Sequence, residues 1–202
     1  MSETRPNPVL RLLPSLTDVM FLMQVVLLLT TREGVGILLG DGDTGWHIRT
    51  GDWILQNGRV PDRDIFSFSK AGEPWFAWEW LWDAAFAWLH RAGGLPLVAL
   101  ASLLVISVTF TLLFRFAGRK CGNVIIAAAM TLIAMMASII HWLARPHLFT
   151  LLFVVIFSIV LDRVREGLTR LLWWLPPLTV LWTNLHGGFF LGVVLIFCYA
   201  AG

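Results

Sequence analysis

Charge is scarce in this sequence: Asp, Glu, Lys and Arg make up only 14% of its 202 residues, against about 25% in an ordinary soluble domain. A water-soluble globule is thereby excluded, because the 57% of hydrophobic residues and a mean hydropathy of +0.75 leave too little polar surface to face water. Cysteine is scarcer still. Cys121 and Cys198 are the two in the chain, far apart, so neither a disulfide framework nor a thiolate metal site follows. A basic cluster is also lacking: the formal net charge is +2 and the cationic residues are scattered between apolar runs, which excludes a nucleic-acid-binding face. The apolar stretch 19–29 is followed by no signal-peptidase site but by Thr30-Thr31-Arg32-Glu33, so it reads as a retained first membrane helix.

What the sequence does have is long apolar runs. Measured against the ~20 residues a span needs, the candidates are 15–39, 95–114, 123–143, 148–161, 171–184 and 187–202. The expected fold is all-α, a polytopic transmembrane helical bundle forming a single membrane domain over 1–202. The last run is still apolar at Gly202, which reads as the N-terminal fragment of a longer protein. The fourth and fifth runs are short, and Trp142, Phe149, Trp173, Trp174 and Trp182 are expected to extend them toward the interfaces. Pro176-Pro177 should kink or break the fifth.

The basic residues set the orientation. With the N-terminus cytoplasmic, Arg5, Arg11, Arg115, Arg119, Lys120, Arg163, Arg165 and Arg170 all fall inside, as the positive-inside rule requires. Segment 40–93 and the turns around Pro146 and Leu185 then lie outside. Segment 40–93 carries eight acidic and five basic residues and is aromatic and periodic, so it is expected to hold two interfacial juxtamembrane helices. The first runs over 44–57 and stops at Gly58; a loop covers 59–72; the second starts with Pro74 in its first turn and runs to His90. Gly93-Gly94 then turns the chain into the second span.

Ionisable residues at membrane depth are costly, and those at the bundle are functional candidates. Asp41-Gly42-Asp43 can share one divalent cation, Mg or Mn, or hold one substrate; alone, the motif reads as a solvated helix-ending turn. An EF-hand is excluded because Gly45 and Trp46 stand where an oxygen ligand and glycine belong. His47, Arg49, Asp62, Asp64, Glu79 and Asp83 follow on the same side, and the topology delivers Arg145, His147, Asn184 and His186 to that face. Arg145 also suits a snorkelling lipid anchor, and Asn184-Leu185-His186 before Gly187-Gly188 suits a tight helix junction. His141, His147, His186 and Asp43 match no compact zinc motif. The run Trp75 to Trp82 serves either as an interfacial belt or as a sugar-stacking surface. Glu79 and Asp83, one helical turn apart, repel unless they are in water or share a cation or proton.

These residues carry a resemblance. Asp41-Gly-Asp43-Thr-Gly-Trp46-His47-Ile-Arg49, then Gly58-Arg-Val-Pro61-x-x-Asp64-x-Phe66-Ser67, Pro74-Trp75 and Glu79-Trp-Leu81 resemble the first extracytoplasmic loop of bacterial GT-C type membrane glycosyltransferases. Ala144-Arg145-Pro146-His147 and Trp182-x-Asn184-Leu-His186-Gly187-Gly188 fit the same group, and Asp43 with Arg49 is loosely similar to the acidic motif of oligosaccharyltransferase catalytic subunits. The resemblance implies a bacterial inner-membrane enzyme that moves a sugar from a polyprenyl-phosphate carrier to a saccharide, lipid or protein acceptor. It implies an acidic residue of the first loop as base or metal ligand, with Asp43 first choice and Asp41 second. His47, Arg49, Asp64, Glu79, Arg145, His147, Asn184 and His186 are the expected substrate-binding set, with arginine matching phosphate oxygens in a bidentate way. The competing reading is a non-catalytic scaffold, or a transporter or flippase component for lipid-linked saccharides.

Overall fold

The structure is a computed structural model that describes residues 14–31 and 34–202. Arg5, Arg11, Arg32 and Glu33, used above for orientation and for the end of the first run, lie outside the described residues. The described chain is all-helical: α1 Leu16–Thr30, α2 Gly34–Leu38, α3 Asp43–Asn57, α4 Trp80–Cys121, α5 Val124–Ser138, α6 His147–Arg165, α7 Leu175–Leu185 and α8 Phe190–Ala201. Short 3-10 turns precede or extend several of these, and an antiparallel bridge joins Arg63 to Pro74.

Local chemistry explains the boundaries. Ser15 and Asp18 form a reciprocal capping box at the start of α1, and the Asn123 side chain accepts from the Ile125 and Ile126 N–H groups to start α5. Gly58 and Gly122 end α3 and α4 in the left-handed region that glycine adopts without strain. Within α4, Gly93 and Gly94 leave helical geometry, Gly94 with φ +67°, and break the helix into a stretch over 80–92 and an apolar stretch that begins with Pro96 in its first turn. The expected turn at Gly93-Gly94 is therefore present as a kink.

Two expectations about proline differ from what forms. Pro74 does not open a helix: it pairs with Arg63, and α4 begins six residues later at Trp80. Pro176 and Pro177 do not break a span but occupy the first turn of α7, where a missing N–H costs nothing.

Among the described residues three helices are long and apolar enough to cross a membrane: α4, α5 with its 3-10 continuation to His141, and α6 over His147–Arg165. The run expected at 148–161 thus extends to the 19 residues of α6. The expected first span is instead α1, of 15 residues, and the five-residue α2. At 1.5 Å per residue α1 spans only about 22 Å of a hydrocarbon layer roughly 30 Å thick. The last two runs become the shorter helices α7 and α8. The outward side of α5 exposes Ile125, Met136 and Ile140, an apolar surface that calls for an apolar solvent.

Two apolar clusters hold the helices together. One joins α1, α4 and α5 through Met20, Leu28, Leu103, Phe110, Ala127 and Trp142. The other joins α4, α6 and α7 through Trp82, Phe86, Phe153, Phe157, Trp182 and Leu185. Trp182 stacks on Phe153 at 5.2 Å between ring centroids. Gly192 lets α8 approach this cluster, since a Cβ there would lie 2.9 Å from Phe157 and 3.0 Å from Trp182.

Candidate functional site

The site begins with a close approach of α3 to α4. Gly51 lies so near the Asp83 backbone that a Cβ would fall 1.9 Å from its carbonyl oxygen. Ile48, Thr50 and Ile54 are buried around the same contact. One helical turn before Gly51, His47 then meets the Asp83 side chain, and its Nδ1–H donates to Asp83 Oδ1 at 2.7 Å. Asp83 is only 2% exposed. The His47 ring also packs edge-on against Trp82 at 5.1 Å, and Trp82 stacks on Phe86 at 4.1 Å.

A second contact seats the acidic turn against the entrance to α6. The Ala144 N–H donates to the Leu38 carbonyl at 2.7 Å, and the Thr44 hydroxyl donates to the Ala144 carbonyl at 3.1 Å. With both sides of Ala144 fixed, Arg145 faces the turn. Its Nη1 stands 2.9 Å from Asp41 Oδ2 and its Nη2 stands 2.6 Å from Asp43 Oδ2. The Asp43 N–H donates to Asp41 Oδ1 at 2.9 Å. That N–H foremost, aided by Arg145 and opposed by partial desolvation, holds the Asp41 carboxyl below the usual carboxylate range. A cation between Asp41 and Asp43 would have to take the position that the Arg145 guanidinium fills. Among the described residues no group of three or more His, Cys, Asp and Glu side chains is placed to hold a metal ion. The pair therefore fits a guanidinium better than an added divalent cation.

The histidines adjoin this ion pair. His147 Nε2–H donates to the His141 carbonyl at 2.7 Å, and the His147 and His186 ring centroids are 6.4 Å apart. A relay fixes His186: Trp182 Nε1–H donates to the Thr150 hydroxyl at 3.0 Å, that hydroxyl donates to His186 Nδ1 at 2.7 Å, and the Gly188 N–H donates to the same nitrogen at 3.1 Å. Two donors on Nδ1 leave the ring proton on Nε2. A Cβ on Gly188 would fall 2.5 Å from the Thr150 hydroxyl, so the glycine is what lets this N–H reach the ring. Burial foremost, then the charges of His147, Arg145 and His47, push the His186 pKa down to about 4.

Beside the ion pair opens a cleft of about 420 Å³ lined by Asp43, His47, Glu79 and Asp83 and walled by Trp46, Trp75, Phe76 and Trp78. Trp46 packs edge-on against Phe66 at 4.8 Å and Trp75 at 6.1 Å, which braces the wall from the loop. Trp80 Nε1–H donates to Asn184 Oδ1 at 2.7 Å, tying the rim to the end of α7. Along α7 runs a lateral groove of about 610 Å³, apolar at Leu172, Leu175, Val180 and Ile196 and ending at Asn184.

Of the residues singled out in the sequence, Asp41, Asp43 and Arg145 form one ion-paired group, His47 and Glu79 share the cleft with Asp43, and His147 and His186 stand together. Asn184 is tied to Trp80. Arg49 is exposed on α3, outside the cleft lining. Asp64 is engaged in its own loop, where it accepts from the Phe66 and Ser67 N–H groups and the Ser67 hydroxyl. These bonds, led by Ser67, hold its carboxyl low. Asp83 stands in the sequence among the same-side acidic residues and one turn from Glu79, without a partner being assigned to it, and Thr150 and Trp80 carry no site role there. The signal for Asp83 was its place beside Trp82 on the helix; that for Thr150 was its spacing of three from His147.

No protein-family model, curated protein or solved structure matches this chain.

Proposed function

We propose that the chain is a membrane glycosyltransferase that moves a sugar from a polyprenyl-phosphate carrier to an extracytoplasmic acceptor. The observation that carries this reading is the Arg145 ion pair to Asp43 at the rim of an acidic cleft walled by tryptophan. Aromatic faces with carboxylates between them suit the apolar faces and hydroxyl edges of a sugar ring. A guanidinium beside them suits a departing phosphate, whose oxygens it can meet two at a time. The groove along α7 ends at Asn184, next to the cleft rim through Trp80, and is of a kind to take an isoprenoid chain.

In this reading the chain is polytopic, the N-terminus is cytoplasmic, and α3 with the 80–92 stretch of α4 lies at the outer interface of a bacterial inner membrane. The cleft and the Arg145 pair lie at helix ends, which favours an interfacial enzyme over a transporter with paired sites at the bilayer midplane. The test is transfer from a panel of tritiated polyprenyl-phosphate hexoses and pentoses to host membrane glycans, with protein in liposomes. Wild type should transfer, and Arg145→Ala should lose about 10²–10³-fold, as when one oxyanion-stabilising donor is removed. Equal rates in the two proteins would refute the assignment of Arg145.

A further inference from the structure

We infer that His47 and Asp83 form a catalytic dyad in which His47 Nε2 takes the acceptor proton and Asp83 positions the ring. The inference rests on the glycosyl-transfer reading and names the base within it.

Three observations carry it. The Nδ1–H of His47 is committed to Asp83 at 2.7 Å, which leaves Nε2 as the ring nitrogen for the cleft that His47 lines. Asp83 is buried at 2% exposure, so a carboxylate there is held in one geometry and a positive ring beside it is compensated at short range. Asp43, by contrast, has its Oδ2 engaged by Arg145; it serves to fix that guanidinium. The contact between α3 and α4 at Gly51 holds the two halves of the dyad in register. The charged and titratable groups around the ring are Asp43 on α3, Glu79 and Asp83 at the start of α4, and His186 from the turn before α8.

The step balances without any further reagent. A lone pair of the acceptor hydroxyl forms the bond to the anomeric carbon while the bond from that carbon to the phosphate oxygen breaks. The electron pair leaves with polyprenyl phosphate, beside Arg145. The hydroxyl proton passes to His47 Nε2, the imidazolium is neutralised by Asp83, and the proton is released through the open cleft to water.

The experiment measures transfer against pH in liposomes, using the tritiated polyprenyl-phosphate sugars, for wild type, His47→Gln, Asp83→Asn and Asp43→Asn, each first checked for an unchanged melting temperature. Wild type should show an acidic limb in its profile of rate against pH. His47→Gln should lose about 10²–10⁴-fold in kcat, the range for a general base, and lose the limb. Asp83→Asn should lower kcat with KM nearly unchanged, and Asp43→Asn should keep the limb. If wild type transfers and His47→Gln keeps its rate and limb, the dyad is wrong while the glycosyl-transfer reading stands. Should wild type transfer no sugar from any donor, both fall together.

Discussion

Arg145 lies 104 positions from Asp41 in sequence, yet its Nη1 stands 2.9 Å from the Asp41 carboxylate while Nη2 engages Asp43. The pair joins the entrance of α6 to the turn before α3, beside Ala144, which is bonded on both sides, to Leu38 and to Thr44. The ions are partly exposed and screened by solvent, so the pair adds little to stability. Its consequence is positional.

The close approach at Gly51 predicts a contrast between two glycines of α3. Gly51→Ala places a Cβ 1.9 Å from the Asp83 carbonyl oxygen and should destabilise by about 1–3 kcal/mol, as overpacking does. Gly45→Ala meets nothing within 4 Å and should be neutral or stabilise by about 0.5–1 kcal/mol through helix propensity. Thermal unfolding in detergent distinguishes them; a Gly51→Ala protein as stable as wild type would show that α3 does not pack on α4 in this way.

His186 predicts a pH dependence. Its folded pKa, about 4, lies below the ordinary histidine value of 6.5, so the unfolded chain binds the proton first as pH falls. Stability is therefore complete above pH 6.5 and declines between about 6.5 and 4, by up to about 3 kcal/mol. His186→Gln should show less of this decline. Equal melting temperatures at pH 7 and pH 4.5 in wild type would contradict the burial of a neutral ring held by Thr150 and Gly188.

Part of this arrangement was legible in the sequence. Gly58 marked the end of α3 because a helix terminates readily at a glycine in the left-handed region, and the positions of Asp43 and Arg145 at neighbouring helix ends anticipated a shared face. Pro74 misled because proline suits a helix start and an extended pairing equally well; the Arg63 bridge, a contact made across the loop, decides between them. The hydropathy of 15–39 gave no sign of the break after Thr30, since apolar character does not specify continuous helix. Asp83 looked like half of a repelling carboxylate pair with Glu79. Its actual partner, His47, is 36 residues away and is delivered by the packing of α3, which spacing along α4 does not encode.

Orientation is open to labelling. In a cysteine-free background, Lys70→Cys should react with a membrane-impermeant maleimide added from outside intact cells, while Arg119→Cys should react only after permeabilisation. With Cys121 alone restored to that background, this residue, exposed at the end of α4, should behave like position 119. The reverse pattern would put the cleft and the Arg145 pair on the cytoplasmic side.

The most direct measurement of the central claim is sugar transfer by Asp43→Asn beside wild type, in liposomes supplied with the same polyprenyl-phosphate donor. The substitution preserves size and removes the charge that fixes Arg145 at the cleft. Transfer should fall by about 10²–10³-fold, as for loss of an organised electrostatic contact, with membrane insertion and melting temperature nearly unchanged. Wild-type transfer by Asp43→Asn would contradict the account.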